Sequence, residues 1–280
     1  MVEYIEKVVR FRSGLVGIQT ESQETAASSD LPCVILLNSG IVHRVGTCRL
    51  SVKLTRALAA KGYHCLRYDS SGIGDSPPRK DTKPFEESAP LELQEVMDSL
   101  QSTKGVEKFV VIGLCSGADV AYETAKIDSR ICGIAQIDPY SYKNWKYYWK
   151  YYWPRVTNID TWVRLIKRKL SGGGGKAADA VVDDLELPTY IRVFPPKDSV
   201  RDGLKRLASR DVKIYAIFTG SAEYLYQEQF ADVFSDVEMS ELLTVTYLDN
   251  SDHMVTTLPE QRQLVSLISN WTTETWGLSR

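Results

Sequence analysis

Histidine is scarce in this chain, with three residues in 280, so any imidazole chemistry has few places to reside. Cysteine is sparse and unpaired. Cys33, Cys48, Cys65, Cys115 and Cys132 are odd in number and none has metal-type spacing. Four of them lie in or beside apolar stretches, which points to reduced thiols and away from a disulfide framework. Charge of one sign is lacking too: 34 Lys and Arg stand against 36 Asp and Glu. A net charge of -2 gives no global attraction to nucleic acid. No segment approaches the roughly 20 uninterrupted apolar residues of a membrane span. Residues 1–10 mix charged and apolar side chains and do not read as a signal peptide. The expectation is a soluble, cytoplasmic protein.

What the sequence does contain is alternation. Residues 7–19 read as a β-hairpin turning at Ser13 and Gly14. Apolar runs at 33–37, 63–68, 109–112, 131–137, 212–218 and 243–248 then read as buried strands. Between them lie helical stripes: Leu50, Leu54 and Leu58 ending at Gly62; Leu93, Val96 and Leu100 ending at Gly105; and residues 118–125. Leu264, Leu267, Ile268 and Trp271 mark a last helix. This pattern predicts an α/β fold with a mostly parallel central sheet and helices on both faces. Working residues in such sheets gather at the carboxyl ends of strands.

Residues 140–200 interrupt the pattern. Between Tyr142 and Trp162 stand four of the six tryptophans and five tyrosines. Lys143, Lys146, Lys150, Arg155, Arg164, Lys167, Arg168 and Lys169 face one acid, Asp160. A glycine run at 172–175 reads as a hinge or loop. The segment is expected to be an inserted helical cap, which divides the chain into a core of 1–139 and 201–280 and a lid of 140–200. An aromatic-rich packing helix with a solvated basic face is the plainer alternative.

The chemical signal is Gly113-Leu114-Cys115-Ser116-Gly117, directly after one strand and before a helix. It is a nucleophile elbow, G-x-S-x-G, with cysteine at its centre. The central residue leaves the strand through a strained turn, so the positions two before and two after must be small. The thiol then projects beside a helix N-terminus, which favours thiolate. Centring the motif on Ser116 would put Leu114 at a position that must be small. Ser116 instead offers its backbone N–H to an oxyanion. An inert buried cysteine is the bland alternative.

His253 follows the last strand and is the expected general base. His64 stands at the start of a strand, opposite the elbow, and reads as structural. Glu223 is the only carboxylate in the 219–223 loop and is the favoured third member, with Asp138 as the alternative. Asp252 adjoins His253 and is badly placed to turn its ring. The loop Asn38 to His43 should supply the other oxyanion donor, the N–H of Ile41, with Gly40 allowing close approach. Gly40, His43, Arg44, Tyr148, Trp149 and Trp153 are candidate substrate contacts.

On these residues the chain resembles the α/β-hydrolase superfamily, near its serine aminopeptidase-like branch. It is more specifically similar to bacterial exosortase A system-associated hydrolases. The resemblance runs from about Leu36 to His253 through Asn38-Ser39-Gly40, His43-Arg44, the turn at 69–76, the elbow and the Tyr/Trp/Arg/Lys-rich cap. It implies an α/β-hydrolase fold and a hydrolase or acyltransferase without metal or organic cofactor. Cysteine in place of serine, and Glu223 where aspartate is commoner, depart from that family's pattern.

A cysteine nucleophile suits thioesters and activated esters, through an acyl-thioester enzyme. A basic cap would attract acidic coenzyme A or an acyl carrier protein. The leading expectation is therefore acyl transfer or thioester hydrolysis on a small acyl substrate presented by either carrier. Carboxylic-ester or lactone hydrolysis is the second. A non-catalytic binding protein of the same fold, or a cap that meets membrane surfaces, are further alternatives.

Overall fold

A computed structural model describes residues 4–23, 30–157, 192–220 and 223–277. Eight strands form one sheet: β1 (Tyr4–Arg10), β2 (Val16–Ser22), β3 (Cys33–Leu36), β4 (Cys65–Asp69), β5 (Phe109–Leu114), β6 (Ile131–Ile137), β7 (Lys213–Thr219) and β8 (Leu243–Leu248). Their order is β1-β2-β4-β3-β5-β6-β7-β8. β2 pairs antiparallel with β1 and β4, and every other pairing is parallel.

The central strands β3 and β5 carry no polar side chain because both their faces are covered. Along β3, Cys33 and Ile35 enter one core while Val34 and Leu36 enter the other. Phe109 and Val111 alternate with Val110 and Ile112 along β5 in the same way, following the two-residue period of a strand. One face is covered by α1 (Leu50–Ala59) and α7 (Leu258–Trp276), through Leu54, Leu58, Leu264 and Ile268. The other is covered by α2 (Phe85–Lys104), α3 (Ser116–Ile127) and α5 (Lys197–Ala208). α4 (Trp145–Thr157) follows β6, and the short α6 (Gln229–Val233) precedes β8.

Helix ends follow local chemistry. α2 stops at Gly105, which takes the left-handed conformation at φ 69°. α7 starts with a capping box between Thr257 and Glu260 and has proline in its first turn. α2 begins two turns before the stripe that marks it, running through Pro90. α5 was not expected. Val200, Leu204 and Leu207 bury in the core, so the expected lid boundary at residue 200 falls inside a core helix. The chain leaves the sheet at the end of β6 and returns to it at Lys213 in β7. Its glycine run, with Arg164, Lys167, Arg168 and Lys169, lies outside the described residues.

Among the described residues no helix is long and apolar enough to cross a membrane.

Candidate active site at the end of strand five

Cys115 lies between β5 and α3 with φ 54° and ψ −118°, a conformation that costs about 1–3 kcal/mol and needs its surroundings to hold it. Its N–H donates to Ile137 O at 2.9 Å and its carbonyl accepts from Asp119 N–H at 3.1 Å. The flanking glycines are required by space. A Cβ on Gly113 would collide with the Gly117 carbonyl and lie 2.6 Å from Ala118 N. A Cβ on Gly117 would collide with Asn38 O, in the loop after β3. Gly117→Ala is expected to lower stability by about 3 kcal/mol or more, measured by urea unfolding. An unchanged midpoint would mean that elbow and loop are not packed this closely.

His253 follows β8, with its ring beside the Cys115 thiol. Its Nδ1 lies 2.5 Å from Asp138 Oδ2, which leaves Nε2 for the sulfur. Asp138 is the residue after β6, buried and held at φ 50°. Its carboxylate also accepts from the Thr219 N–H and the Thr219 hydroxyl, each at 2.7 Å, and its own N–H donates to Ile217 O at 2.7 Å. Two donors thus aim one carboxylate at the imidazole, and the Ile217 bond fixes the backbone that carries it.

The carboxylate beside His253 is therefore that of Asp138, which corrects the preference for Glu223. β6 and β7 pair in register from Gly133 with Lys213 to Ile137 with Ile217, so the residue just past β6 meets Thr219 at the end of β7. Glu223 lies four residues beyond β7, with its side chain 47% exposed and paired with Lys143 at 3.2 Å.

Asp138 and Cys115 together raise the His253 imidazolium to about 10. Burial pushes the Cys115 thiol up. The His253 hydrogen bond, the Arg192 and His253 charges and the Ser116 N–H outweigh it and hold the thiol below its ordinary value. Burial raises Cys33, Cys65 and Cys132, the last to about 11. A lowered thiol beside a raised imidazole favours moving the proton from sulfur to ring.

Ser116 is buried, and its hydroxyl accepts the Gly40 N–H at 2.8 Å. Its backbone N–H faces the sulfur. Gly40 and Ile41 occupy a tight turn closed by Val42 N–H to Ser39 O at 2.9 Å, with φ 51° at Gly40. The Gly40 N–H is thus committed to Ser116, and the Ile41 side chain is 93% exposed. His43 is exposed on the same loop.

Arg44 departs from the expected substrate role. Its guanidinium binds Asp69, and Asp75 at 2.5 Å, so it braces the turn after β4. Tyr148, Trp149 and Trp153 stand on the exposed side of α4, where Tyr148 stacks on Tyr152 at 6.4 Å and Trp149 on Trp153 at 4.6 Å. His64, just before β4, is buried 3.3 Å from Glu21, in keeping with a structural role.

Two residues that no motif marks also stand at this site. Asp119, one turn into α3, is buried and gripped by Arg192 at 2.6 and 2.7 Å. A carboxylate on the inner face of the elbow helix signals a buried partner, but nothing in the sequence selects Arg192 from the many basic residues. Among the described residues no group of three or more His, Cys, Asp or Glu side chains is placed to hold a metal ion.

Comparison with known proteins agrees with this geometry. Residues 34–161 match the family model of the alpha/beta hydrolase fold. No curated protein matches the chain in sequence. An esterase from Pyrococcus furiosus is similar in structure at TM-score 0.59 and 15% identity, covering 99% of this chain and 92% of that one. A serine hydrolase without a lid from Xanthomonas campestris is similar at TM-score 0.57 and 12% identity, covering 99% and 97%. Mouse alpha/beta hydrolase domain-containing protein 10 is similar at TM-score 0.54 and 11% identity, covering 97% and 99%. Strand order, the strained cysteine between β5 and α3, and these similarities converge: the chain carries the α/β-hydrolase fold.

Proposed function

We propose that the protein is a cysteine-dependent hydrolase or acyltransferase that works through an acyl-Cys115 intermediate. The observation that carries this reading is the line from Cys115 through His253 to Asp138, closed at 2.5 Å on its acidic side. In the first step the Cys115 thiolate attacks an acyl carbonyl, and the negative charge moves to the carbonyl oxygen. The Ser116 N–H and a donor from the 39–41 loop, with Ile41 N–H the candidate, stabilise that oxygen. The leaving group departs with the proton of the His253 imidazolium. Water or an acceptor nucleophile, deprotonated by His253, then attacks the acyl-thioester and restores the thiolate. Asp138 fixes the imidazole tautomer and orientation.

Thioesters are the favoured substrate class, because a thiolate leaving group is displaced readily by an incoming thiolate. A coenzyme A or carrier-bound acyl group rests on the basic composition of residues 140–200. Three of those lysines have nearby partners in the core region: Lys143 pairs with Glu223, Lys146 with Asp232, and Lys150 lies 5.4 Å from the Tyr226 ring. Ester or lactone hydrolysis is the second reading, favoured by the similarity to the Pyrococcus esterase.

Matched substrates with one acyl group as thioester, oxygen ester and lactone separate these readings. The expected result is the largest kcat/KM on the thioester. Turnover of esters or lactones with an inert thioester would move the assignment to the second reading, and silence on all three would leave a binding protein.

Turnover should also follow a bell in pH. It rises as the Cys115 thiol ionises below the ordinary thiol value, and it falls as His253 loses its proton near 10. These are apparent constants of the pair. A kcat/KM profile that keeps rising beyond pH 10 would contradict the ion pair.

A further inference from the structure

Arg192, eight residues before Val200 of α5, reaches the carboxyl end of the sheet at the Asp138 carbonyl. Nε and Nη2 grip the two oxygens of Asp119 at 2.7 and 2.6 Å, and Nη2 also donates to the Asp138 carbonyl at 3.1 Å. The guanidinium lies over the rings of Phe194 and Tyr140, at 4.8 and 5.4 Å. The two side chains are 16% and 10% exposed. Such a pair loses most of its hydration, and apolar residues of similar volume often serve stability as well. Its location is the informative feature. Asp119 is hydrogen-bonded through its N–H to the Cys115 carbonyl, and Asp138 is the partner of His253. One planar fork therefore spans the nucleophile's helix and the backbone of the residue that orients the base.

Resting on the reading of Cys115 as nucleophile, we infer that Arg192 is a positioning residue. Its fixed charge stabilises the Cys115 thiolate, and its hydrogen bond to Asp138 keeps the His253–Asp138 pair aligned with the sulfur. The groups acting on the thiol are His253 from the loop after β8, the Ser116 N–H from α3, and Arg192. Asp119 partly neutralises Arg192, and Asp138 acts through His253.

The test is the pH dependence of Cys115 alkylation by iodoacetamide in the full chain, followed by intact-protein mass spectrometry. Arg192→Gln removes the charge, and the alkylation midpoint should rise by about one pH unit. Asp119→Asn keeps Arg192 and removes its neutralising partner, so there the midpoint should fall. A purely structural role would lower thermal stability without moving either midpoint in these directions. Should Arg192→Gln fail to fold, the fall in Asp119→Asn decides. Midpoints equal to wild type in the variants that fold overturn the proposal. A wild-type midpoint at the ordinary thiol value of about 8.5 would instead sink the reading of Cys115 itself, whatever the variants do.

Discussion

Cys115→Ala is expected to reduce turnover by about 10⁶-fold, the scale seen when a covalent nucleophile is removed from an intact site. What remains is the oxyanion region and the binding surface, which act without forming an acyl-enzyme. Cys115→Ser is expected to be nearly as inactive on thioesters. The site lowers the thiol and raises the imidazole beside it, whereas a serine hydroxyl stays protonated until attack. Stability should change little in either variant, because Cys115 is half-buried and its backbone strain comes from the elbow, which both variants keep. Substantial activity in Cys115→Ala, measured on the best substrate, would transfer the chemistry to another group. Ser116 is the neighbour to suspect, yet its buried hydroxyl is occupied with the Gly40 N–H.

Asp138→Asn should cost about 10²–10⁴-fold in kcat, while Glu223→Gln should change it by less than about threefold. The asparagine can keep one oxygen on Thr219. Its amide nitrogen would then face His253 Nδ1 as a donor, which favours the tautomer with its proton on Nε2 and removes the base. The imidazolium also loses the charge that holds it near pH 10, so the alkaline limb of the rate profile should move to lower pH. The acid limb should move upward as the thiol's cationic partner weakens. Glu223 is half-exposed and meets Lys143 at the surface, where an ion pair contributes little. If Glu223→Gln proved the more damaging substitution, the 220–223 loop would have to rearrange around His253 when substrate binds.

The contrast between these two acids shows what a sequence can carry. The elbow is legible because its requirements are local: a turn out of a strand, two glycines where a Cβ would collide, and a helix that begins at once. The parallel strands are legible because burial on both faces removes polar residues from their runs. The choice between Asp138 and Glu223 depends on the register between β6 and β7, residues some eighty positions apart. A hint was present, since Asp138 directly follows its strand as Cys115 follows β5. α5 stayed hidden because its stripe of Val200, Leu204 and Leu207 sits among six charged residues at the edge of an atypical segment. Arg44 misled because a basic residue beside a candidate oxyanion loop reads as a substrate contact. The acids that bind it, Asp69 and Asp75, belong to another turn.

The most direct test of an acyl-Cys115 intermediate is intact-protein mass spectrometry after rapid mixing with a panel of acyl-coenzyme A and acyl-pantetheine thioesters, followed by peptide mapping. The expected result is a single acyl adduct on Cys115, absent in Cys115→Ala and longer-lived in Asp138→Asn. An adduct that persists in Cys115→Ala, or a wild-type protein that turns over thioesters with its acyl group mapped to another residue, would contradict it.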